Sequence, residues 1–564
     1  MFFSMHWLLY YATSAPLHDG SSSANIPLFL TGNSRFLSLK RARVPRALLN
    51  FLGGFPVAID ASKEDLLIGV CGAGAMGRGI VQVAAAGGVN VRVFDINKEQ
   101  LKDAVKFIDN MLSRAVEKGR MEADAHKVAI NRIQMIDSME GFRECDVVIE
   151  AATENLDIKK KIFEEIEKNV RDETIIATNT SSLSVTTIAS ACEKPERIAG
   201  FHFFNPVPLM RLVEVIDGVL TLPEVGDQLM VLGARMTREP VRLKDAPGFL
   251  VNQVGRGYNV ETQHLQAECV GEFADLDRIL RDGAGFRMGP FELMDLTGLD
   301  VTHPASELIY RQFFDEPRYR PSTVMQSRME AGILGRKTGR GYYRYEDGKK
   351  VEPDAKPAPE YDGRSVWISK AEPDGHTALS EIVDKCGGQI DNGDTPSPVS
   401  LILVTPVGQE VTQAAIEQGL DATRTLGVDY LIGLSTHRTV VTNPATKSEY
   451  RDSAHGLLTA DDVGATVVRD CPAFVCQRVL STICNIGCQI AQLGTAEPDD
   501  IDKAVVLGLN YPSGPLTFGE TLGAKNVLRI LEGLYASYGD PRYRPSPWLR
   551  RRALLGLSLF DTEI

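Results

Sequence analysis

Two ionisable side chains lie inside apolar stretches of residues 201–216, which read FHFFNPVPLMRLVEVI. His202 and Glu214 each interrupt a hydrophobic run, and a proline-containing corner joins the two runs. An unpaired buried carboxylate is very costly, so Glu214 needs a partner. A carboxylate beside a histidine holds one imidazole tautomer and stabilises the protonated ring, which suits a general base. The pattern therefore predicts a His–Glu pair that either abstracts protons or serves only the structure.

A second group of residues has the spacing of a dinucleotide site. Gly72, Gly74 and Gly77, with Met76 between the last two, form a GxGxxG pattern within LLIGVCGAGAMGRGIVQV. Asp95 ends the next apolar run, where an acid that binds ribose hydroxyls is expected. Glycines there allow a tight turn and close backbone approach to a pyrophosphate at a helix N-terminus. We expect NAD rather than NADP, because Asp95 would repel a 2′-phosphate.

The elements that position these residues alternate between apolar runs and helical stretches over residues 64–245. This alternation is typical of a doubly wound parallel sheet with helices on both faces. The runs DVVIEAA, TIIATNT and RIAGFHFF end in polar residues at 153–155, 181–182 and 202–205. Ligands bind beyond the carboxyl ends of such strands, so we expect a single site at this edge.

The rest of the chain predicts an all-α domain, a small α/β domain and a second all-α domain. We place them at residues 246–349, 350–462 (after a Pro- and charge-rich linker) and 463–564. DAPGFLVNQV at 245–254 matches DCPAFVCQRV at 470–479, and EPRYRPS matches DPRYRPS. A nearly constant offset indicates duplication. The small domain has no GxGxxG pattern, so this half is expected to be structural.

Composition narrows the partners. The net charge of −13 argues against nucleic acid and anionic membranes. The sequence contains no run of about 18 apolar residues, the length that a membrane-spanning helix requires. Nine cysteines without metal-ligand spacing are typical of thiols in a reducing compartment, so we expect a cytoplasmic protein and no metal. We interpret residues 1–63 as a disordered or non-native extension, although one acid and five bases in residues 1–59 also fit a transit peptide.

Six motifs together resemble the 3-hydroxyacyl-CoA dehydrogenase family, in particular its long bacterial members. They are the glycine fingerprint, NTSSLSVTTIA, GFHFFNPVPLMRLVEVI, APGFLVNQ, GFRMGPFELMDLTGLD and LGRKTGRGYYRY. The resemblance implies NAD-dependent oxidation of a 3-hydroxyacyl-CoA, or the reverse reduction. It implies a catalytic base at His202 with the acidic partner Glu214. The further residues that it implies are Ser181 and Asn252 for the substrate, Asn205, Glu154, Lys159 and Lys337 for the cofactor, and Lys118 for the CoA phosphates.

Two other functions remain open at this stage. One is a non-catalytic NAD-binding homologue, and the other is an NAD oxidoreductase of related fold that acts on a hydroxy acid without CoA. The acyl chain and the oligomeric state are not determined by any motif. Because short family members dimerise through their helical domains, we expect the second helical domain, with Gln477 in place of Asn252, to provide that contact within one chain.

Overall fold

The computed structural model describes residues 59–563. The part of the predicted N-terminal extension up to residue 58 therefore lies outside the described residues. Residues 59–63, which the sequence assigned to the extension, belong to the folded unit: the Ala61 N–H donates to Gln228 Oε1 at 2.8 Å, and Arg235 donates to the Lys63 carbonyl. None of the described helices is both long and apolar enough to cross a membrane.

The described residues contain fifteen strands. In chain order they are β1 Leu67–Cys71, β2 Asn90–Phe94, β3 Ile133–Met135, β4 Val147–Glu150, β5 Ile175–Thr178, β6 Ile198–Phe203, β7 Leu212–Asp217, β8 Glu239–Lys244, β9 Arg344–Glu346, β10 Lys349–Val351, β11 Val366–Ile368, β12 Leu401–Val404, β13 Thr425–Val428, β14 His437–Thr442 and β15 Gly464–Arg469.

Within residues 59–563, nineteen α-helices connect and cover these strands. They are α1 Ala75–Ala86, α2 Lys98–Glu117, α3 Ala123–Asn131, α4 Leu156–Asn169, α5 Val185–Ala189, α6 Pro223–Arg235, α7 Val251–Ala267, α8 Phe273–Arg278, α9 Pro290–Thr297, α10 Leu299–Gln312, α11 Thr323–Glu330, α12 Pro373–Lys385, α13 Val411–Glu417, α14 Ser448–Leu457, α15 Val475–Gln492, α16 Pro498–Leu509, α17 Pro515–Leu522, α18 Ala524–Tyr538 and α19 Pro547–Leu555.

The first sheet has the order β3-β2-β1-β4-β5-β6-β7-β8, which confirms the Rossmann-type fold class. Strands β1 to β6 are parallel, and their buried residues are mostly Val, Ile and Ala. The expectation of a wholly parallel sheet is wrong at β7, which runs antiparallel to β6. The corner at 204–211 is too short for the crossover that a parallel pair requires. Strand β8 returns parallel to β7 after α6.

The small second sheet repeats five of the eight strands of the first. Its order is β11-β12-β13-β14-β15, with β14 antiparallel to β13 and parallel to β15, as β7 is to β6 and β8. Strands β14 and β15 begin at residues 437 and 464, each 225 residues after β7 and β8, which begin at 212 and 239. The second sheet thus corresponds to β4–β8, and β1–β3, which carry the glycine fingerprint, have no counterpart in it.

The repeat therefore begins earlier than the sequence suggested. Residues 464–469, which fall within the predicted second helical domain, form β15 of the small sheet. The segment GATVVR buries only alternate residues, so its apolar period was too short to be distinguished from the adjacent helix. The helices of that domain begin with α15 at Val475.

The two helical regions pack directly against each other through the equivalent helices α7 and α15. Their apolar residues belong to one continuous core, and a Cβ at Gly257 of α7 would lie 3.1 Å from Ile483 of α15. The contact also contains buried charge. The fully buried Arg478 donates to Glu261 at 2.6 Å and to Glu268 at 2.7 Å. The contact between α7 and α15 therefore combines apolar packing with a buried ion pair.

Candidate active site

The His202–Glu214 pair forms as the sequence predicted. The two residues face each other in the β6–β7 register, and His202 Nδ1 lies 2.7 Å from Glu214 Oε2. Both side chains are almost wholly buried. Since the carboxylate accepts at Nδ1, the ring carries its proton there and Nε2 is left as the basic nitrogen. The rings of Phe204 and Phe249 flank the imidazole at 4.4 and 5.7 Å between centroids.

Glu214 has a second task that the sequence did not reveal. Its other oxygen, Oε1, accepts hydrogen bonds from the backbone N–H groups of Leu250 and Val251, at 3.2 and 3.0 Å. These groups belong to the first turn of α7, whose N-terminal N–H groups have no partner inside the helix. One carboxylate therefore fixes the histidine and the helix that carries Asn252.

Asn252 and Ser181 come together next to this pair. Asn252 Nδ2 donates to the Ser181 carbonyl at 3.4 Å, and both residues retain solvent exposure. The next residue, Ser182, accepts at its carbonyl a hydrogen bond of 3.0 Å from Gln312 Nε2 on α10. Two helices of the helical domain, α7 and α10, thus bind the loop after β5.

Glu154 organises that loop. Its Oε1 accepts from Thr180 Oγ1 at 2.7 Å, from the Ser181 N–H at 3.0 Å and from Ser182 Oγ at 2.9 Å. Burial by itself would raise the pKa of Glu154, but the hydrogen bond from Thr180 and the charge of Lys159 outweigh it and hold the pKa below its usual range. Glu154 is therefore held as an anion at the mouth of the site.

Lys159 is buried next to this loop. Its side chain is 1% exposed, and Nζ donates to the buried Glu150 at 2.7 Å and lies 3.4 Å from Glu154. Glu150 also accepts from Thr178 Oγ1 at 2.8 Å. Glu150 and Thr178 were not predicted as site residues, because both lie within apolar strands. The acid at the end of the strand Val147–Glu150 was the sequence signal that could have indicated Glu150.

The glycine fingerprint has the geometry of a dinucleotide cradle. A Cβ on Gly72 would lie 2.6 Å from the Ala151 carbonyl oxygen, and one on Gly77 would lie 1.9 Å from the Gly72 carbonyl oxygen, so neither position accepts a side chain. Gly74, by contrast, has only an ordinary contact at 3.6 Å and caps α1 without a side-chain bond. The free N-terminus of α1 suits a pyrophosphate. Met76 lies in the first turn of α1.

Asp95 directly follows β2 and lies beside this turn. Its Oδ2 accepts from the Ala73 N–H at 2.7 Å and its Oδ1 from the Asn97 N–H at 2.8 Å. Each oxygen keeps a second lone pair for ribose hydroxyls. This glycine turn also lies near the corner at 204–211 that follows His202, because a Cβ on Gly79 of α1 would lie 2.8 Å from Val207. The residues present at this turn could therefore hold NAD. Asn205 is exposed at the corner between β6 and β7.

Two of the predicted residues lie apart from the others. Lys118 is exposed and caps the C-terminal end of α2, roughly 30 Å along the helix axis from the end next to Asp95. Lys337 pairs with Asp300 at the start of α10. Within the described residues, neither lysine hydrogen-bonds to any other predicted site residue.

The second half has different residues at the corresponding places. Asp429 lies opposite Thr439, its N–H donating to the Thr439 carbonyl at 3.2 Å, where the first half has His202 opposite Glu214. Gln477 replaces Asn252 and donates to Asp429 at 3.2 Å. All three side chains are buried, and those of Asp429 and Gln477 are hydrogen-bonded to each other, so they are closed to a substrate.

Comparison with known proteins matches both types of domain. The model of the 3-hydroxyacyl-CoA dehydrogenase NAD-binding domain matches residues 67–246, and that of the C-terminal domain matches residues 248–345 and 474–558. The chain is 36% identical over 500 residues to 3-hydroxyadipyl-CoA dehydrogenase of Escherichia coli (strain K12), covering 86% of this chain and 97% of that one.

Shorter relatives and a solved structure agree with this match. A probable 3-hydroxybutyryl-CoA dehydrogenase of Bacillus subtilis is 38% identical over 278 residues, which cover 49% of this chain and 96% of that protein. The crystal structure of 3-hydroxybutyryl-CoA dehydrogenase from Escherichia coli superimposes with a TM-score of 0.78 at 34% identity. It covers 87% of this chain and 99% of the other.

Proposed function

The chain belongs to the 3-hydroxyacyl-CoA dehydrogenase family and is an NAD-dependent enzyme that interconverts 3-hydroxyacyl-CoA and 3-oxoacyl-CoA, and from this premise we propose how its residues act. His202 is the general base, and its Nε2 takes the proton of the 3-hydroxyl group. The observation that carries this assignment is the buried His202–Glu214 pair, at 2.7 Å, beside the dinucleotide cradle. Glu214 is the positioning residue that fixes the tautomer and balances the imidazolium charge.

Ser181 and Asn252 orient the substrate. Their 3.4 Å contact brings a hydroxyl and an amide to the rim beside His202, where both can bind the oxygens of a β-oxidised thioester. Glu154 holds the Ser181 loop by three short hydrogen bonds, and Lys159 holds Glu154 from below. We assign to Lys159 a positioning role instead of direct contact with a ligand.

The cofactor position follows from the cradle. NAD⁺, when bound there, supplies the hydride acceptor for C3 of the substrate. Gly72, Gly74 and Gly77 admit the pyrophosphate, Asp95 binds the adenosine ribose, and Asn205 lines the nicotinamide. Lys337, which pairs with Asp300 at the start of α10, contacts the cofactor. The exposed Lys118, at the C-terminal end of α2, contacts the CoA phosphates.

The domain division, with the small α/β domain extended to Arg469, and the second helical copy are part of the proposal. Residues 475–555 would replace, within one chain, the partner that short relatives recruit, since α7 packs on its own duplicate α15. Further self-association of whole chains is compatible with this arrangement. All nine cysteine thiols are unpaired, which supports the predicted cytoplasmic location.

Reduction of acetoacetyl-CoA by NADH tests the proposal. His202→Gln removes the base and keeps the approximate shape, so kcat should fall by a factor on the order of 10²–10⁴ while NADH affinity changes little. Near wild-type kcat in this variant would reject His202 as the base. A wild-type protein that binds NADH yet reduces no 3-oxoacyl-CoA would instead favour the non-catalytic alternative.

A further inference from the structure

Arg256 is exceptional among the buried arginines. Nine arginine side chains in the described residues are buried, namely Arg197, Arg256, Arg278, Arg318, Arg424, Arg438, Arg478, Arg542 and Arg552. Every one except Arg256 has a carboxylate oxygen within 4.0 Å. Removing a charge from water without a counter-ion is costly, so a residue of this kind calls for a reason.

One edge of the Arg256 guanidinium is unused. Nη1 donates to Ser306 Oγ at 2.5 Å and lies 3.5 Å from the Thr302 carbonyl oxygen, both on α10. Nε is buried without a partner, and no hydrogen bond within residues 59–563 involves Nη2. The Nε–Nη2 edge is one of the two edges with which arginine binds a carboxylate through paired hydrogen bonds.

The position of Arg256 relates it to the substrate. It follows Asn252 by four residues on α7, so both side chains lie on the same helix face, about 6 Å apart along the axis. The opposing helix α10 has the same layout: Gln312 reaches the loop of Ser181 at one end, and Ser306 holds Arg256 about two turns earlier. Arg256 thus lies one helical turn from Asn252, on the side of α7 that contacts α10.

We propose that Arg256 binds a carboxylate at the far end of the acyl chain, so that the substrate is a 3-hydroxyacyl-CoA with a terminal carboxylate. This inference rests on the proposed function of the site. In a six-carbon acyl group the terminal carbon is three bonds from C3, a reach of about 4–5 Å that matches one helical turn. The carboxylate supplies the missing counter-ion and uses the free edge.

Two further observations agree with this role. Burial lowers the pKa of Arg256 to about 10, which is the response of a cation that lacks an anion nearby. Tyr511, from the second helical copy, lies close enough for the Arg256 charge to act on its hydroxyl, and it stacks edge-on against Tyr258 of α7. The duplicated domain thus helps to wall the place where the end of the acyl chain would lie.

Two substrates of equal length provide the test: 3-oxoadipyl-CoA, which ends in a carboxylate, and 3-oxohexanoyl-CoA, which ends in a methyl group. With NADH, the wild-type enzyme should show a kcat/KM higher for the first by a factor on the order of 10². In Arg256→Met this preference should disappear or reverse, because kcat/KM for 3-oxoadipyl-CoA should fall while kcat/KM for 3-oxohexanoyl-CoA stays unchanged. Arg256→Lys should recover part of the preference.

Arg311→Met is the matched control, because Arg311 is an exposed residue of α10 whose side chain forms an ion pair with Glu307. It should leave both rates unchanged. Equal wild-type kcat/KM values for the two substrates, or an equal loss of both in Arg256→Met, would overturn the inference while leaving the dehydrogenase function intact. Should Arg256→Met fail to fold, the wild-type ratio and Arg256→Lys still decide. Inactivity of the wild type on both substrates would count against the proposed function itself.

Discussion

Glu214→Gln isolates the coupling between His202 and helix α7. The carboxylate accepts three hydrogen bonds, one from His202 and two from the N–H groups of Leu250 and Val251. An amide has one oxygen for these three donors. If its NH₂ group faced α7, two buried N–H groups would lose their acceptor at a cost of roughly 1–3 kcal/mol each, or about 2–6 kcal/mol together.

The amide oxygen should therefore keep the hydrogen bonds from the two N–H groups of α7, so that the NH₂ group faces His202. Nδ1 must then accept, which moves the imidazole proton to Nε2 and blocks the nitrogen that receives the substrate proton. We expect kcat to fall by a factor on the order of 10²–10⁴ with an unchanged fold, the logic by which an Asp→Asn change disables a serine-protease triad.

Steady-state reduction of acetoacetyl-CoA gives the rate, and ¹⁵N NMR of labelled histidine gives the tautomer. Glu239→Gln is the control, since Glu239 lies on the adjacent strand β8 and pairs at the surface with Arg211. The reasoning is wrong if Glu214→Gln retains more than a tenth of wild-type kcat, or if it is slow while the proton remains on Nδ1.

Three other predictions concern the cofactor site and the contact between the helical regions. Asp95→Ala should reduce the preference for NADH over NADPH in kcat/KM by weakening NADH and relieving repulsion of the 2′-phosphate; equal use of both cofactors by the wild type would contradict the ribose assignment. Burial alone would raise the pKa of Glu261, but Arg478 and Arg542 outweigh it and lower the pKa to about 2. Because the folded pKa lies below the ordinary value of 4.5, this stabilisation is complete above pH 4.5 and is lost as pH falls toward 2. Arg478→Met should therefore cost about 3–5 kcal/mol at neutral pH and raise the acid-unfolding midpoint, measured by circular dichroism, with the exposed Arg550→Met as an unaffected control. A fragment of residues 61–350 should self-associate in sedimentation experiments, and a stable monomer would argue against the dimer-like role of α15.

The sequence was sufficient for the interactions that adjacent segments make. Two apolar runs on either side of a short corner must lie side by side, so His202 and Glu214 could be paired from the order of the residues alone. The glycine fingerprint was equally predictable, because its turn and its helix are local. The direction of β7 was harder to predict, because the length of the corner before it, and not the composition of the apolar runs, makes β7 antiparallel to β6.

Interactions between distant segments could not be read in this way. The bond from Glu214 to the start of α7 joins residues 36 apart, and only the docking of the helical domain creates it. Arg256 looks like an ordinary polar residue of an amphipathic helix until α10 and the second copy bury it. The family resemblance implies that Lys159 contacts the cofactor, and the sequence does not show that its side chain is buried against Glu150.

The duplication also changes what mutation can do to the contact between α7 and α15. In a symmetric dimer each residue of the interface occurs twice, so each substitution is tried in two environments at once. Here the positions evolve separately. Arg478 corresponds to Gln253, which donates to Tyr319 as Arg478 donates to Tyr543. Glu261 corresponds to Ile486 at the same offset. The buried ion pair therefore occurs once, with no mirror image, and a chain that carries both halves was free to acquire it on one side alone.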